Sequence, residues 1–252
     1  MCGRFFLQRD PAGLARYFET VNPTPNRAAS WNVAPTQESL VVRRHPDSGA
    51  RHLDPLRWGL VPRWAKDPSI GARMINARAE TLMQRSAFRN AFQRHRCLLP
   101  ADGFYEWMTR HGGKQPVLVR MKDGTPFGLA GLYERWLAPD GEVLDTCTIV
   151  TTSANALLHD LHERMPVIVP PADYARWLDA ENDEVGDLFL PHPAEAMAWQ
   201  PVSTRVNAVR NDDPSLIDAI VPAPVTRPAS GADGTSEDAP APTKEPVQAS
   251  LL

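Results

Sequence analysis

Cys2, in the opening MCGRF, is the residue whose type and position could carry unusual chemistry. Removal of the initiator Met leaves it as the amino terminus, with an α-amine of pKa about 7.7–8.0 and a thiol of about 8.5 on adjacent carbons. Both groups are then expected to be partly unprotonated near neutral pH, and so nucleophilic. A 1,2-aminothiol captures an aldehyde in a way neither group can alone. The amine condenses to an imine, the thiolate adds to the imine carbon, and a thiazolidine ring closes. On a frayed terminus the same residue would be incidental, so the reading depends on what the rest of the chain brings to it.

Three segments offer partners. In GFYEWMTR (103–110), strand alternation places Phe104, Glu106 and Met108 on one face and Tyr105 and Trp107 on the other. Strands are poor in Glu, and partial burial would raise the Glu106 pKa into the range useful for proton transfer near neutrality. The competing reading is an edge-strand carboxylate in solvent or in an ion pair. In MINARAET (74–81), an extended chain points Asn76 and Arg78 to the same face, an amide and a guanidinium able to orient a nucleophile and hold an anion. A turn Asn beside a surface Arg is the plainer alternative. HDLHERMPVI (159–168) carries two histidines, and His162 is a candidate acid, base or electrophile near the end of a short helix beginning at Ser153. No HExxH pattern or cysteine pair accompanies them, so neither a metal nor another cofactor is expected.

The elements that must position these groups are mostly strands. Asp10 followed by Pro11 reads as an N-cap and first turn of a helix, with Leu14, Tyr17, Phe18 and Val21 on its core face. WNVAPTQ (31–37) reads as an extended loop because of Pro35. Residues 39–45 and 51–61 form strands about a PDSG turn, and residues 65–73 a loop before MINAR. Helical periodicity runs from Glu80 to Arg94, followed by the strand CLLP. A hairpin about HGG joins 103–110 to 114–122, and the turn APDG joins 126–137 to 142–152. PVIV (166–169) and AWQPVS (198–203) are strands, and Asp173–Leu178 is a helix. Hairpin-length connections predict a largely antiparallel sheet in an α+β fold.

Length allows one large domain, and no apolar run approaches the roughly 20 residues of a membrane span. No secretory leader is visible and only three cysteines occur, so a reducing cytoplasmic compartment and a monomer without membrane contact are expected. The net charge of -3 conceals a division. Residues 1–122 hold 20 Lys and Arg against 9 Asp and Glu, and residues 123–252 hold 7 against 21. Either the halves neutralise each other in one fold, or the first builds a cationic face for a polyanion. A single domain is expected over residues 1–222. Residues 223–252, rich in Pro, Ala and acidic residues, read as a disordered tail.

MCGRF, WNVAPTQ, RWGLVPRWAKD, MINARAET, GFYEW, IVTTSAN and HERMPVI occur in the order seen in the SRAP (SOS-response-associated peptidase) family, and over residues 2–205 the chain resembles that family. Two departures are Trp31, where Tyr is more usual, and Glu163, where Asp is. The resemblance implies one α+β domain, a largely antiparallel sheet curled toward a barrel with helices around it. It also implies an enzyme that recognises abasic sites in single-stranded DNA and crosslinks to them through the N-terminal Cys in a lyase-like manner. The family name records an older autopeptidase proposal. Matched residue by residue, Cys2 is the nucleophile, Asn76 the polar group beside it, and Glu106 and His162 the acid/base residues. Arg4 and Arg78 match DNA-contacting arginines, Trp107 an aromatic contact, and Thr151 a lining residue. Trp58 and Trp64 are further candidate platforms unless they belong to the core. Two other readings use the same residues: an N-terminal-nucleophile cysteine peptidase with Asn76 in an oxyanion hole, and a non-catalytic single-strand binder.

Overall fold

The computed structural model describes residues 2–110 and 113–221; the expected tail over 223–252 and the HGG turn residues 111–112 lie outside the described residues. The chain runs β1 (Phe5–Leu7), α1 (Pro11–Phe18), β2 (Ser30–Val33), β3 (Glu38–Arg44), β4 (Arg51–Trp58), β5 (Asn76–Arg78), α2 (Ser86–Arg94), β6 (Arg96–Ala101) and β7 (Gly103–Arg110). It continues with β8 (Gly113–Met121), β9 (Phe127–Leu137), β10 (Val143–Ser153), β11 (Arg164–Pro166), β12 (Ile168–Val169), α3 (Tyr174–Leu178) and β13 (Met197–Pro201).

Two sheets result. One has the order β13-β8-β7-β1-β2, and every pair in it is antiparallel. In the other, β10-β4-β3-β6-β9 closes on itself because β9 also pairs with β10 from Val143↔Leu137 to Ile149↔Gly131, giving a small barrel. The expected α+β fold with a curled, largely antiparallel sheet is present. Two pairings are parallel, β10 with β4 and β10 with β5, and the second carries Asn76 to Ile149 and Arg78 to Thr151.

The barrel wall is apolar on both faces. Val41, Leu56, Trp58, Cys97, Leu99 and Ile149 join Cys2, Phe5 and Phe104 in one core, while Leu40, Val42, Leu53, Leu98 and Val150 pack with Phe18, Tyr174 and Trp177 in another. Asp10 caps α1 by accepting from the Gly13 N–H at 2.8 Å, as its position predicts. Leu14 and Phe18 are buried, but Tyr17 is partly exposed and Val21 lies beyond the helix end in solvent.

Four expectations need correction. WNVAPTQ begins as strand β2, because Phe5 and Leu7 supply its ladder partners. Helix α2 starts only at Ser86; a 3-10 turn, Ala79–Thr81, precedes it. No helix forms after Ser153. That residue pairs with Arg164, and the Ala154 N–H donates to the Glu163 carbonyl at 2.9 Å. Residues 155–162 must therefore double back between adjacent ladder positions, where an eight-residue helix would separate its ends by about 12 Å. The segment 166–169 is divided between β11 and β12, on β10 and β9 respectively. Among the described residues, no helix is long and apolar enough to cross a membrane.

Candidate functional site

The amino terminus is anchored. Strand β1 lies between β2 and β7, with Phe5 opposite both Val33 and Phe104, and the Tyr105 N–H donates to the Arg4 carbonyl at 2.9 Å. The Phe5 ring sits 5.2 Å from that of Trp58, whose own Nε1–H donates to the Ile75 carbonyl at 2.9 Å. Trp58 is therefore core, whereas Trp64 is exposed. Gly59 (φ 124°) and Gly71 approach so closely that a Cβ on Gly59 would stand 2.6 Å from the Gly71 carbonyl oxygen. That contact folds the segment before β5 back on the barrel and delivers Asn76 beside the terminus.

Cys2 is 0% exposed. Its carbonyl accepts from Asn76 Nδ2 at 2.8 Å, and its Sγ lies 3.9 Å from the Arg4 carbonyl oxygen. Burial pushes the thiol pKa far up, with the nearby Glu106 charge adding to the effect. The thiol is thus held neutral near pH 7, contrary to the partly ionised group expected from the sequence, because desolvation penalises the thiolate. Asn76 Oδ1 is buried and has no hydrogen-bond partner among the described residues.

Glu106 is 5% exposed on β7, opposite Val117. Burial raises its pKa above the ordinary carboxylate value, and the positive amino-terminal charge opposes the rise. His162 is half-buried, and its pKa is lowered first by burial and then by that same terminal charge. The Glu106 charge acts directly on the Cys2 thiol, which places the carboxyl close to it. His162 Nδ1 accepts from the Arg164 backbone N–H at 2.9 Å, so the hydrogen of the neutral ring is on Nε2. His159 stays apart, exposed beside Asp160.

Arg164 is an organising residue that reading the motif for its histidine overlooks. Its guanidinium forms a two-pronged pair with Glu80 at 2.6 and 2.9 Å and also donates to the Thr151 carbonyl at 2.6 Å. The Ala79–Thr81 turn is thereby tied to the segment bearing His162. Thr151 is fully buried, its hydroxyl directed at the Ala77 carbonyl, and it supports β5 from beneath. Arg78, its register partner, is exposed.

On the other side of β1, Arg4 Nη1 donates to Asn32 Oδ1 at 2.6 Å and to the Val206 carbonyl at 2.7 Å. Its guanidinium carbon lies 5.9 Å from the centre of the Trp107 ring. Trp107 Nε1–H donates to Asn207 Oδ1 at 2.8 Å. Asn32 lies within WNVAPTQ, whose reading as a loop hides its burial on a strand; Asn207 had no signal in the sequence. The basic and acidic halves interleave, with ion pairs such as Arg43–Asp145 and Arg164–Glu80 crossing between them. Among the described residues, no cluster of three or more His, Cys, Asp or Glu side chains could hold a metal.

This arrangement places a buried Cys at an anchored terminus, with an amide, a carboxyl and an imidazole around it and arginines and an indole nearby. Residues 1–209 match the model of the family described as SOS response associated peptidase (SRAP). The chain is 41% identical over 225 residues to the abasic site processing protein YoqW of Bacillus subtilis, covering 87% of this chain and 100% of that one. It is 36% identical over 219 residues to the abasic site processing protein HMCES of Gallus gallus, covering 75% of this chain and 65% of that longer one. A crystal structure of a Bacteroides thetaiotaomicron protein has the same fold, with a TM-score of 0.78 at 22% identity over 87% of this chain and 100% of that one. A Bordetella bronchiseptica structure aligns with a TM-score of 0.70 at 30% identity, over 80% of this chain and 100% of that one.

Proposed function

Because this chain belongs to the SOS response associated peptidase family, we propose that it processes abasic sites in single-stranded DNA by forming a covalent thiazolidine through Cys2. The observation that carries the proposal is the anchored terminus: Cys2 is buried, held at its carbonyl by Asn76, and lies within the field of the Glu106 carboxylate. With Met1 removed, the α-amine belongs to Cys2 itself. The unpartnered Asn76 Oδ1 is an acceptor suited to one of its hydrogens.

In the ring-opened abasic sugar, C1′ is an aldehyde. The amine nitrogen adds to C1′, water leaves, and an imine forms. The thiol sulfur then bonds to C1′ while its proton passes, by way of a base, to the former imine nitrogen. One water is lost overall. A thiol held neutral by burial must give up its proton during this closure, and Glu106 is the acceptor whose raised pKa suits the transfer. His162, in its protonated form, donates from Nε2 to the sugar oxygen O4′ as the ring opens, while the C1′ hydroxyl gives its proton to solvent. Arg4, Arg78 and Trp107 hold the strand by phosphate and stacking contacts, with Thr151 supporting Arg78 from behind. No cofactor enters.

Mixing the mature protein with single-stranded DNA carrying one abasic site should give a shifted band that survives heating in SDS. The band should be absent with undamaged DNA and with Cys2→Ala. A stable adduct formed at wild-type yield by Cys2→Ala would move the chemistry to another residue. Peptide hydrolysis by the same Cys2 is the second reading, and no observation here favours it over DNA capture.

A further inference from the structure

The 3-10 turn Thr204–Asn207 is distant in sequence from MCGRF and GFYEW, yet it holds one side chain from each. Asn207 Oδ1 accepts from Trp107 Nε1–H at 2.8 Å, and the adjacent Val206 carbonyl accepts from Arg4 Nη1 at 2.7 Å. The turn is fixed from beneath by Asn32, which is 1% exposed. Asn32 Nδ2 donates to the Val206, Ala208 and Asn211 carbonyls at 3.3, 3.2 and 2.6 Å, while its Oδ1 takes Arg4 Nη1. Asp212 fastens the next residues to β2 through the Ser30 hydroxyl and the Trp31 N–H. Everything beneath the turn is braced. At its surface, exposed Asn207 has one side-chain hydrogen bond among the described residues, the one from Trp107.

We propose that Asn207 is a positioning residue for DNA binding: it fixes the Trp107 indole beside Arg4, so that ring and guanidinium form one preassembled contact. The proposal rests on the single-strand-binding part of the function above. An indole with a free N–H could swing about its side-chain torsions and would have to be ordered when DNA arrives. A ring already pinned and lying 5.9 Å from the Arg4 charge avoids that loss.

The test is a double-mutant cycle on the full mature chain, using Asn207→Ala, Trp107→Phe and both together. Affinity for an undamaged single-stranded oligonucleotide is read by fluorescence anisotropy. The crosslinking rate to an abasic oligonucleotide is measured as a function of DNA concentration. Loss of one neutral hydrogen bond should weaken binding about fivefold in Asn207→Ala. The half-saturating DNA concentration should rise by the same factor, with the rate at saturation changed by less than about twofold, since the effect lies in binding. In the Trp107→Phe background, which has no ring N–H, adding Asn207→Ala should change affinity by less than about 1.5-fold. Wild-type affinity in Asn207→Ala, or the same fivefold loss on adding Asn207→Ala to Trp107→Phe, overturns the proposal. Failure of the parent reading looks different. A wild-type protein that binds the undamaged strand but gives no SDS-stable adduct fails the thiazolidine and leaves the cycle readable. One that does not bind the strand at all sinks both.

Discussion

Replacing Asn76 with Ala separates what this side chain does for the fold from what it does for the chemistry. Its Nδ2 donates to the Cys2 carbonyl at 2.8 Å, while its Oδ1 is buried without a partner among the described residues. Losing the hydrogen bond costs about 1 kcal/mol. Truncation also removes an orphaned oxygen whose burial costs about 1–3 kcal/mol. Asn76 is only half-buried, so water can reach the vacated space and the Cys2 carbonyl need not stay dry. The opposing effects leave a net gain of about 0–2 kcal/mol, a Tm rise of at most about 8 °C for a domain of this size. The reaction has no such compensation. Without the amide, the Cys2 backbone loses its fixed point and the amine its acceptor, and a displacement of about 1 Å costs about 100-fold in rate. Thermal unfolding by circular dichroism and a time course of SDS-stable adduct, run on the same preparation, measure both. A crosslinking rate within about threefold of wild type would refute the positioning role. So would a rate loss accompanied by a Tm fall beyond about 8 °C, because the loss would then track unfolding.

Three further outcomes follow from the same geometry. A protein with uncleaved residues ahead of Cys2 keeps the thiol but has an amide in place of the amine, so it should bind abasic DNA without forming a stable adduct. Proteolytic exposure of Cys2 should restore the adduct, with a mass equal to protein plus DNA less one water; equal crosslinking by the blocked protein would exclude the aminothiol. Non-covalent affinity should fall with salt at a log–log slope of about −0.7 per phosphate contact. Exposed Arg78, changed to Ala, should remove about one such unit, and Arg4, whose Nη1 is already committed to Asn32 and Val206, should remove less; equal slopes in all three proteins would discard both contacts. The pKa of His162 is lowered by burial, so only a small fraction carries the proton that O4′ needs at neutral pH, and that fraction grows as pH falls. The ratio of wild-type to His162→Gln crosslinking rates, in which titration of the amine cancels, should therefore rise as pH falls from 8 to 6. It should level off only below the lowered His162 pKa, since Glu106, like the amine, titrates in both proteins and cancels; a flat ratio would remove His162 from proton transfer.

Much of the site could be read in the sequence because its groups sit inside short motifs on single elements. Strand alternation alone put Glu106 on the face of Phe104 and away from Trp107, and both assignments match the two cores those residues join. Hairpins were equally readable, since PDSG and APDG mark turns between strands adjacent in sequence. What sequence reasoning missed is non-local. The parallel pairing that sets Asn76 against Ile149 joins residues far apart in the chain, and no local pattern specifies it. Residues 155–162 carry Leu158 and Leu161 at helical spacing, but ladder pairing at both ends prevents a helix. The ionisation of Cys2 was misjudged for a related reason: a free aminothiol has ordinary pKa values, and only the packing of β1 between β2 and β7 supplies the desolvation that raises this one. Asn207 lay beyond reach because its purpose depends on a ring about one hundred residues earlier.

The same packing of β1 sets a clock on biosynthesis. Phe5 finds its partner on β7 only at Phe104, so during translation at about 5–20 residues per second the first strand waits roughly 5–20 s for its docking site to be made. Throughout that interval the start of the chain is loose and open to an aminopeptidase. Once β1 docks, Cys2 passes into the core. Removal of the initiator Met is easiest over that interval, and slowing or speeding early translation should change the fraction of molecules that react.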